Sequence, residues 1–225
     1  MAVRPAAVAF DVIETLMPLA PLRDRLAAVG QPPDLLELWF TRTLRDGMAL
    51  SAAGDFVPFR DVAEAALHSV TGYKLTSELA AQVLAGFGEL PAHPDVLPAV
   101  QRLAGAGVRV ALLTNGGPEV MASFAGRTGL TPYLDKVITT AEVRRWKPPP
   151  IVYRYAAESL GVTPERLALV AAHAWDCHGA SRAGLVTGWV SRSEGRYPPV
   201  FAPPDVTGET LVDVAEGLLS LPEPG

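Results

Sequence analysis

The chain has 225 residues, 49% of them hydrophobic, and a formal net charge of -5. That length holds one substantial α/β core plus a smaller insertion, and the composition excludes a disordered chain. With an acidic balance and no Lys/Arg run, it lacks the electrostatic footprint of a nucleic-acid binder or of a protein seated on an anionic membrane, which leaves a small molecule as the expected partner.

A single cysteine, Cys177, rules out an intrachain disulfide and predicts a reducing, cytoplasmic setting, with the thiol packed as a small apolar group. The N-terminal stretch has Arg4 as its one basic residue and runs at once into a strand, so neither a signal peptide nor a membrane span is expected. That strand is Val8-Ala9-Phe10, ending on Asp11. A short buried run that stops on a carboxylate places it at the carboxyl edge of a sheet, where open α/β folds build ligand sites, so Asp11 is the candidate nucleophile. Alone, it would serve equally well as a turn residue.

Beyond Leu16 the apolar residues fall at three and four spacing over Leu22–Val29, Leu35–Arg45, Phe59–Val70 and Ser77–Phe87, which predicts an inserted helical unit. Gly30-Gln31-Pro32-Pro33 and Thr71-Gly72 break it, and Pro91-Ala92-His93-Pro94 closes it. From Pro98 helices and strands alternate. A helix at Val100–Ala106 precedes strand Val108–Leu113, which ends on Thr114-Asn115-Gly116-Gly117. A helix at Glu119–Arg127 and a strand at Lys136–Thr139 lead to Arg144-Arg145-Trp146-Lys147 and three prolines. A helix at Val152–Leu160 is followed by strand Leu167–Ala172, ending on His173-Ala174-Trp175-Asp176, and by a last strand at Leu185–Val190. The proline-rich tail reads as surface loop before a final short helix. This alternation predicts right-handed crossovers and a doubly wound, mainly parallel sheet.

Four polar clusters therefore meet at one sheet edge: Asp11 with Thr15, Thr114 with Asn115, Lys147, and Asp176. In this order they resemble the four motifs of the haloacid dehalogenase superfamily, and the match covers nearly the whole chain. Ala174-Trp175-Asp176 with Gly179-Ala180, and Tyr153 six residues after Lys147, resemble most the L-2-haloacid dehalogenase (type II) branch. The resemblance implies a Rossmann-like core (1–16 and 95–225) with a helical cap domain (17–94) inserted after the first strand. In that cap, Leu36 to Leu44 resembles the segment that carries the branch's substrate arginine, which would make Arg42 that residue.

The implied reaction is metal-independent dehalogenation of a small 2-haloacid through an Asp11 ester that water hydrolyses. Lys147 would keep Asp11 ionised, Thr15, Thr114 and Asn115 would supply hydrogen bonds, and Arg42 would pair with the substrate carboxylate or the departing halide. Asp176 would activate water or brace Lys147. Trp39, Phe40, Tyr153, Trp175 and Ile13 would wall the pocket, although Trp39 and Phe40 are equally well read as packing. The branch usually has an aromatic residue at Ile13, glycine at Glu14, serine at Ala171 and asparagine at His173. Either His173 replaces them as water partner or base, or it is structural; Glu14 is either a helix-start charge or a repellent to anions. His178 reads as helix surface.

Two other readings stand beside this one. The superfamily's magnesium phosphatases need carboxylates where Ile13 and Ala172 stand, so Mg²⁺ is expected only if that alternative holds. A catalytically weakened member would bind a metabolite or a partner without turnover. Composition does not separate a pocket wall from a homodimer contact.

Overall fold

The computed structural model describes residues 2–224. Strand β1 (Ala7–Phe10) is followed by four helices, α1 (Leu22–Ala28), α2 (Leu35–Ala53), α3 (Phe59–Val70) and α4 (Ser77–Ala85). Then come α5 (Val96–Gly105), β2 (Arg109–Thr114), α6 (Pro118–Arg127), β3 (Leu134–Thr139), α7 (Pro150–Ser159), β4 (Leu167–Ala171), α8 (Ala174–Arg182), β5 (Val186–Val190), β6 (Val206–Gly208) and α9 (Leu211–Leu219). The sheet has the order β3-β2-β1-β4-β5-β6 with every pair parallel. Its strands are continuous apolar runs because both faces are covered.

Alternate side chains divide between those faces. Val8 and Phe10 pack with α5, α6 and α9 through Val100, Phe124 and Val214, whereas Ala7 and Ala9 pack with α7 and α8 through Val152, Ala156 and Ala180. The strand order reverses at β1, between β2 and β4, and the crevice at this switch point is where such sheets bind ligands. β1, β2 and β4 all end there, so Asp11, Thr114 and the turn at His173 arrive together.

Three departures from the expected elements exceed two residues. α2 continues past Arg45 to Ala53 because Gly47, a weak helix former, is where the Trp146 indole lies against the helix. α5 begins at Val96, with Pro98 tolerated in its first turn. The tail contains β6, a three-residue edge strand too short to leave an alternation pattern, before α9, which opens on a Thr210/Asp213 capping box. Among the described residues no helix is long and apolar enough to cross a membrane.

Candidate active site

Asp11 follows β1 directly, its N–H still donating to Val170 O at 2.9 Å, so its side chain leaves the sheet at a fixed point. Its side chain is 9% exposed. Thr15 Oγ1 donates to Asp11 Oδ2 at 2.7 Å and accepts from Ala172 N at 2.9 Å, which ties the loop after β1 to the end of β4. Lys147 Nζ lies between two carboxylates, 3.0 Å from Asp11 Oδ1 and 2.7 Å from Asp176 Oδ2. Tyr153 donates its hydroxyl to Asp176 Oδ1 at 2.5 Å, and Lys147 N donates to Asn115 Oδ1 at 3.1 Å. Each member is held by another, so the lysine has no second place to go.

Burial is the largest single influence on Asp11 and would raise its pKa, but the Lys147 ammonium, His173 and the Thr15 hydroxyl together outweigh it and hold this carboxylate well below its usual range. Burial likewise opposes the charge on Lys147, yet Asp11 and Asp176 raise it above the ordinary lysine value. Asp176 goes up, because burial and the neighbouring Asp11 charge exceed the help from Lys147. The paired carboxylates are thus driven apart, with Asp11 the one kept ionised.

On the far side of Asp11 lies His173. Its Nε2 is 2.8 Å from Glu14 Oε2, its Nδ1 is 3.5 Å from Asp11 Oδ2 without a hydrogen bond, and its ring stacks on Trp175 with centroids 5.4 Å apart. Burial disfavours the imidazolium, but Asp11 and Glu14 raise its pKa to about 10. Glu14 reaches this partner from a left-handed backbone, φ 66°.

A cavity of about 10 Å³, room for roughly one water, opens on Asp11, Thr114, Asn115, His173 and Trp175, and is roofed by Ile13, Phe40, Leu44 and Phe59. Two larger spaces adjoin it. One, of about 400 Å³, shares Glu14 and Phe40 with the site's surroundings and is lined also by Arg23, His93 and Arg192; the other, of about 630 Å³, runs between Phe56–Asp61 and Asn115–Met121.

A family model for haloacid dehalogenase-like hydrolases matches residues 6–184. The chain belongs to this family. Among its relatives, the (S)-2-haloacid dehalogenase 1 of Pseudomonas sp. (strain CBS-3) is 29% identical over 217 residues, which cover 94% of this chain and 96% of that protein. The (S)-2-haloacid dehalogenase 4A of Burkholderia cepacia is 28% identical, covering 86% of each chain. The fold matches that of the L-2-haloacid dehalogenase from Xanthobacter autotrophicus solved with covalently bound chloropropionic acid, with a TM-score of 0.87, 23% identity, and coverage of 96% of this chain and 99% of that one.

The structure brings Asp11, Thr15, Lys147, Asp176 and His173 together as one connected group. Thr114, Asn115, Trp175, Ile13 and Phe40, all named from the sequence for the pocket, line the cavity. Three expected pocket residues do not. Arg42 is turned toward α3, where its guanidinium donates to Ser69 Oγ at 3.1 Å, because it lies more than half a helical turn from Phe40, the α2 residue that faces Asp11. Trp39 is packing within the helical insert, its indole N–H donating to Ala63 O at 2.7 Å and its ring set edge-on to Phe87. Tyr153 stands behind Asp176 rather than in the cavity, and braces it. His178 is half-buried against Phe201, its Nδ1 accepting from Ala202 N at 3.0 Å, so it is no free surface residue.

The residues that sequence reasoning left out are Leu44 and Phe59 in the roof, and Glu14 as the partner of His173. Leu44 is four residues after Phe40, a spacing that puts both on one helix face and identifies that face as the one over the site.

A divalent cation does not fit the residues present. The position between Asp11 and Asp176 is taken by the Lys147 ammonium, and the flanking residues Ile13 and Ala172 offer no side-chain oxygen. The magnesium phosphatase reading is not favoured.

Proposed function

We propose that this chain is a hydrolytic dehalogenase of small 2-haloacids that works through an Asp11 ester without a metal. The observation that carries the reading is the Lys147 ammonium held between Asp11 and Asp176: it keeps one carboxylate ionised beside an apolar roof, which is what a carboxylate nucleophile needs. Asp11 attacks C2 of the substrate from the side opposite the halogen. A C–O bond forms, the C–halogen bond breaks, and halide departs with the bonding pair. Water then cleaves the ester and releases the 2-hydroxy acid.

The substrate carboxylate meets Asn115, whose Oδ1 is committed to Lys147 N so that its Nδ2 is the end offered to an anion, and the His173 imidazolium. Ile13, Phe40 and Phe59 enclose the carbon chain and the halogen and exclude bulk water. The cavity is too small for a haloacid as it stands, so segment 17–94, acting as the cap, has to lift; the cleft of about 630 Å³, which shares Ile13, Phe59 and Asn115 with the cavity, is the access route. The lone buried Cys177 fits a cytoplasmic setting.

Halide release from a panel of short 2-haloacids, with and without a chelator, tests this. Release that survives chelation and falls at least about 10³-fold in Asp11→Asn is expected. Absence of halide across the panel, with magnesium-dependent phosphate release from simple esters, overturns it.

A further inference from the structure

We propose that Glu14 and His173 are the hydrolytic half of this site: Glu14 positions the imidazole so that Nδ1 takes the proton from the water that cleaves the Asp11 ester. The inference rests on the ester reading above and assigns its second step. The end of β4, where that water has to be activated, carries alanine at positions 171 and 172, so no side-chain hydroxyl or amide is available there. Thr15 spends its hydroxyl on Asp11 and on Ala172 N, and Lys147 and Asp176 are engaged with each other. His173 Nδ1 is the exception: it is buried, has no hydrogen-bond partner, and lies 3.5 Å from Asp11 Oδ2, on the wall of a cavity with room for roughly one water.

Glu14 supplies the orientation. It occupies a left-handed backbone position, φ 66°, that a non-glycine residue rarely adopts, and its carboxylate is 2.8 Å from His173 Nε2. An acceptor at Nε2 draws the ring proton to that nitrogen and leaves the Nδ1 lone pair toward Asp11, the same order of orienter, base and target used by other nucleophilic hydrolases. Glu14 also borders the open pocket of about 400 Å³, where a proton handed outward meets solvent.

The groups that set the charge on His173 are Asp11 and Glu14 from the loop after β1, Lys147 on the other oxygen of Asp11, and Glu194, which accepts from Ala174 N at 3.1 Å; Trp175 covers a ring face. In the free protein the two nearest carboxylates keep the ring protonated. Ester formation removes the charge of Asp11, burial then favours the neutral ring, and the imidazolium releases one proton to solvent on the Glu14 side. The base is therefore created by the displacement step. Water adds to Asp11 Cγ as its proton passes to Nδ1. The Cγ–O bond to the substrate carbon breaks, and the departing alkoxide takes that proton back. Asp11, left as a carboxylic acid, passes its proton to His173 Nδ1, which restores both the carboxylate and the imidazolium. One water is consumed, and one proton accompanies the halide released earlier.

The test compares wild type with Glu14→Gln, Glu14→Asp and His173→Gln on 2-chloropropionate, following halide by rapid mixing and the protein by intact mass. In Glu14→Gln and His173→Gln we expect about one halide per active site, a persistent adduct on the Asp11 peptide, and steady turnover slowed by about 10²–10³-fold, with Glu14→Asp recovering part of it. Turnover within about threefold of wild type, or a loss with no adduct, overturns the assignment. A wild type that yields neither halide nor adduct sinks the ester reading instead. A second arm needs no substrate: NMR titration of the His173 ring is expected to move toward neutral pH in Asp11→Asn, which removes the charge as the ester does, and the neutral ring is expected to lose its Nε2–H preference in Glu14→Gln. An unchanged titration and tautomer overturn the pairing whatever the kinetics show.

Discussion

Lys147 is fully buried with its charge divided between Asp11 and Asp176, so its removal does more than delete a contact. Lys147→Met leaves two buried carboxylates facing each other with no cation between them, a loss on the order of 3–5 kcal/mol by denaturant unfolding near neutral pH. The deficit should shrink as pH falls, because protonating either carboxylate relieves the repulsion; a deficit independent of pH would mean that lost packing dominates. Halide release should vanish with it. Arg42→Ala, by contrast, removes a guanidinium bonded to Ser69 and should change kcat/KM by less than about threefold, whereas Phe40→Ala, which opens the roof over Asp11, should lower it by at least about tenfold. Equal effects of the two would put Arg42 back in the site. Asp11, Thr15, Lys147 and Asp176 were legible in the sequence because each stands at or just beyond a strand end, and strand ends converge by topology. On α2 the sequence offered Trp39, Phe40 and Arg42 together and did not say which faces the site, because its apolar and polar residues leave the phase of the helix open by a residue or two; the structure puts Phe40 there. The Glu14–His173 pair was hidden for another reason: its members are 159 positions apart and neither has meaning without the other.

Helix α8 carries the end of the site that cannot shift. Gly179 packs where a Cβ would lie 2.6 Å from Pro148 Cβ, 2.7 Å from Pro148 O and 2.7 Å from the Tyr153 hydroxyl. Those are the neighbour of Lys147 and the brace of Asp176, so Gly179→Ala presses on both arms of the charge cluster at once. We expect a cost of roughly 1–3 kcal/mol and a fall in kcat of at least about tenfold with little change in KM, read from unfolding curves and steady-state kinetics. Normal turnover in the variant would show that α8 yields without moving the lysine. The alternation of strands and helices that builds this element was legible in the sequence, since both faces of a parallel sheet demand apolar runs. The length of α2 and the existence of β6 were not: the first depends on Trp146 seating against Gly47, a contact with a residue about a hundred positions away, and the second is an edge strand held by pairing with β5 rather than by its own pattern.

For the molecule as a whole, the charge cluster sets how stability varies with pH, and the signs differ from group to group. Asp11 is depressed in the folded state, so its contribution is present above its ordinary value of 3.8 and is lost as pH falls below it. His173 is raised from 6.5 to about 10, so its contribution is complete below about 6.5 and disappears as pH rises toward 10. Folding should therefore be most favourable between these limits and weaken on the alkaline side. Burial also pushes up the Cys177 thiol and the Tyr153 hydroxyl, so the unfolded chain releases their protons first and the alkaline slope is not due to His173 alone. The difference between wild type and His173→Gln cancels those shared slopes. Unfolding midpoints at pH 6, 8 and 10 should show wild type ahead at pH 6, with the gap narrowing steadily toward pH 10, at roughly 2–4 °C per kcal/mol for a chain of this size. A gap that stays constant would mean that His173 is neutral in the folded protein, and the imidazolium would then have no part in holding the substrate anion before the ester forms.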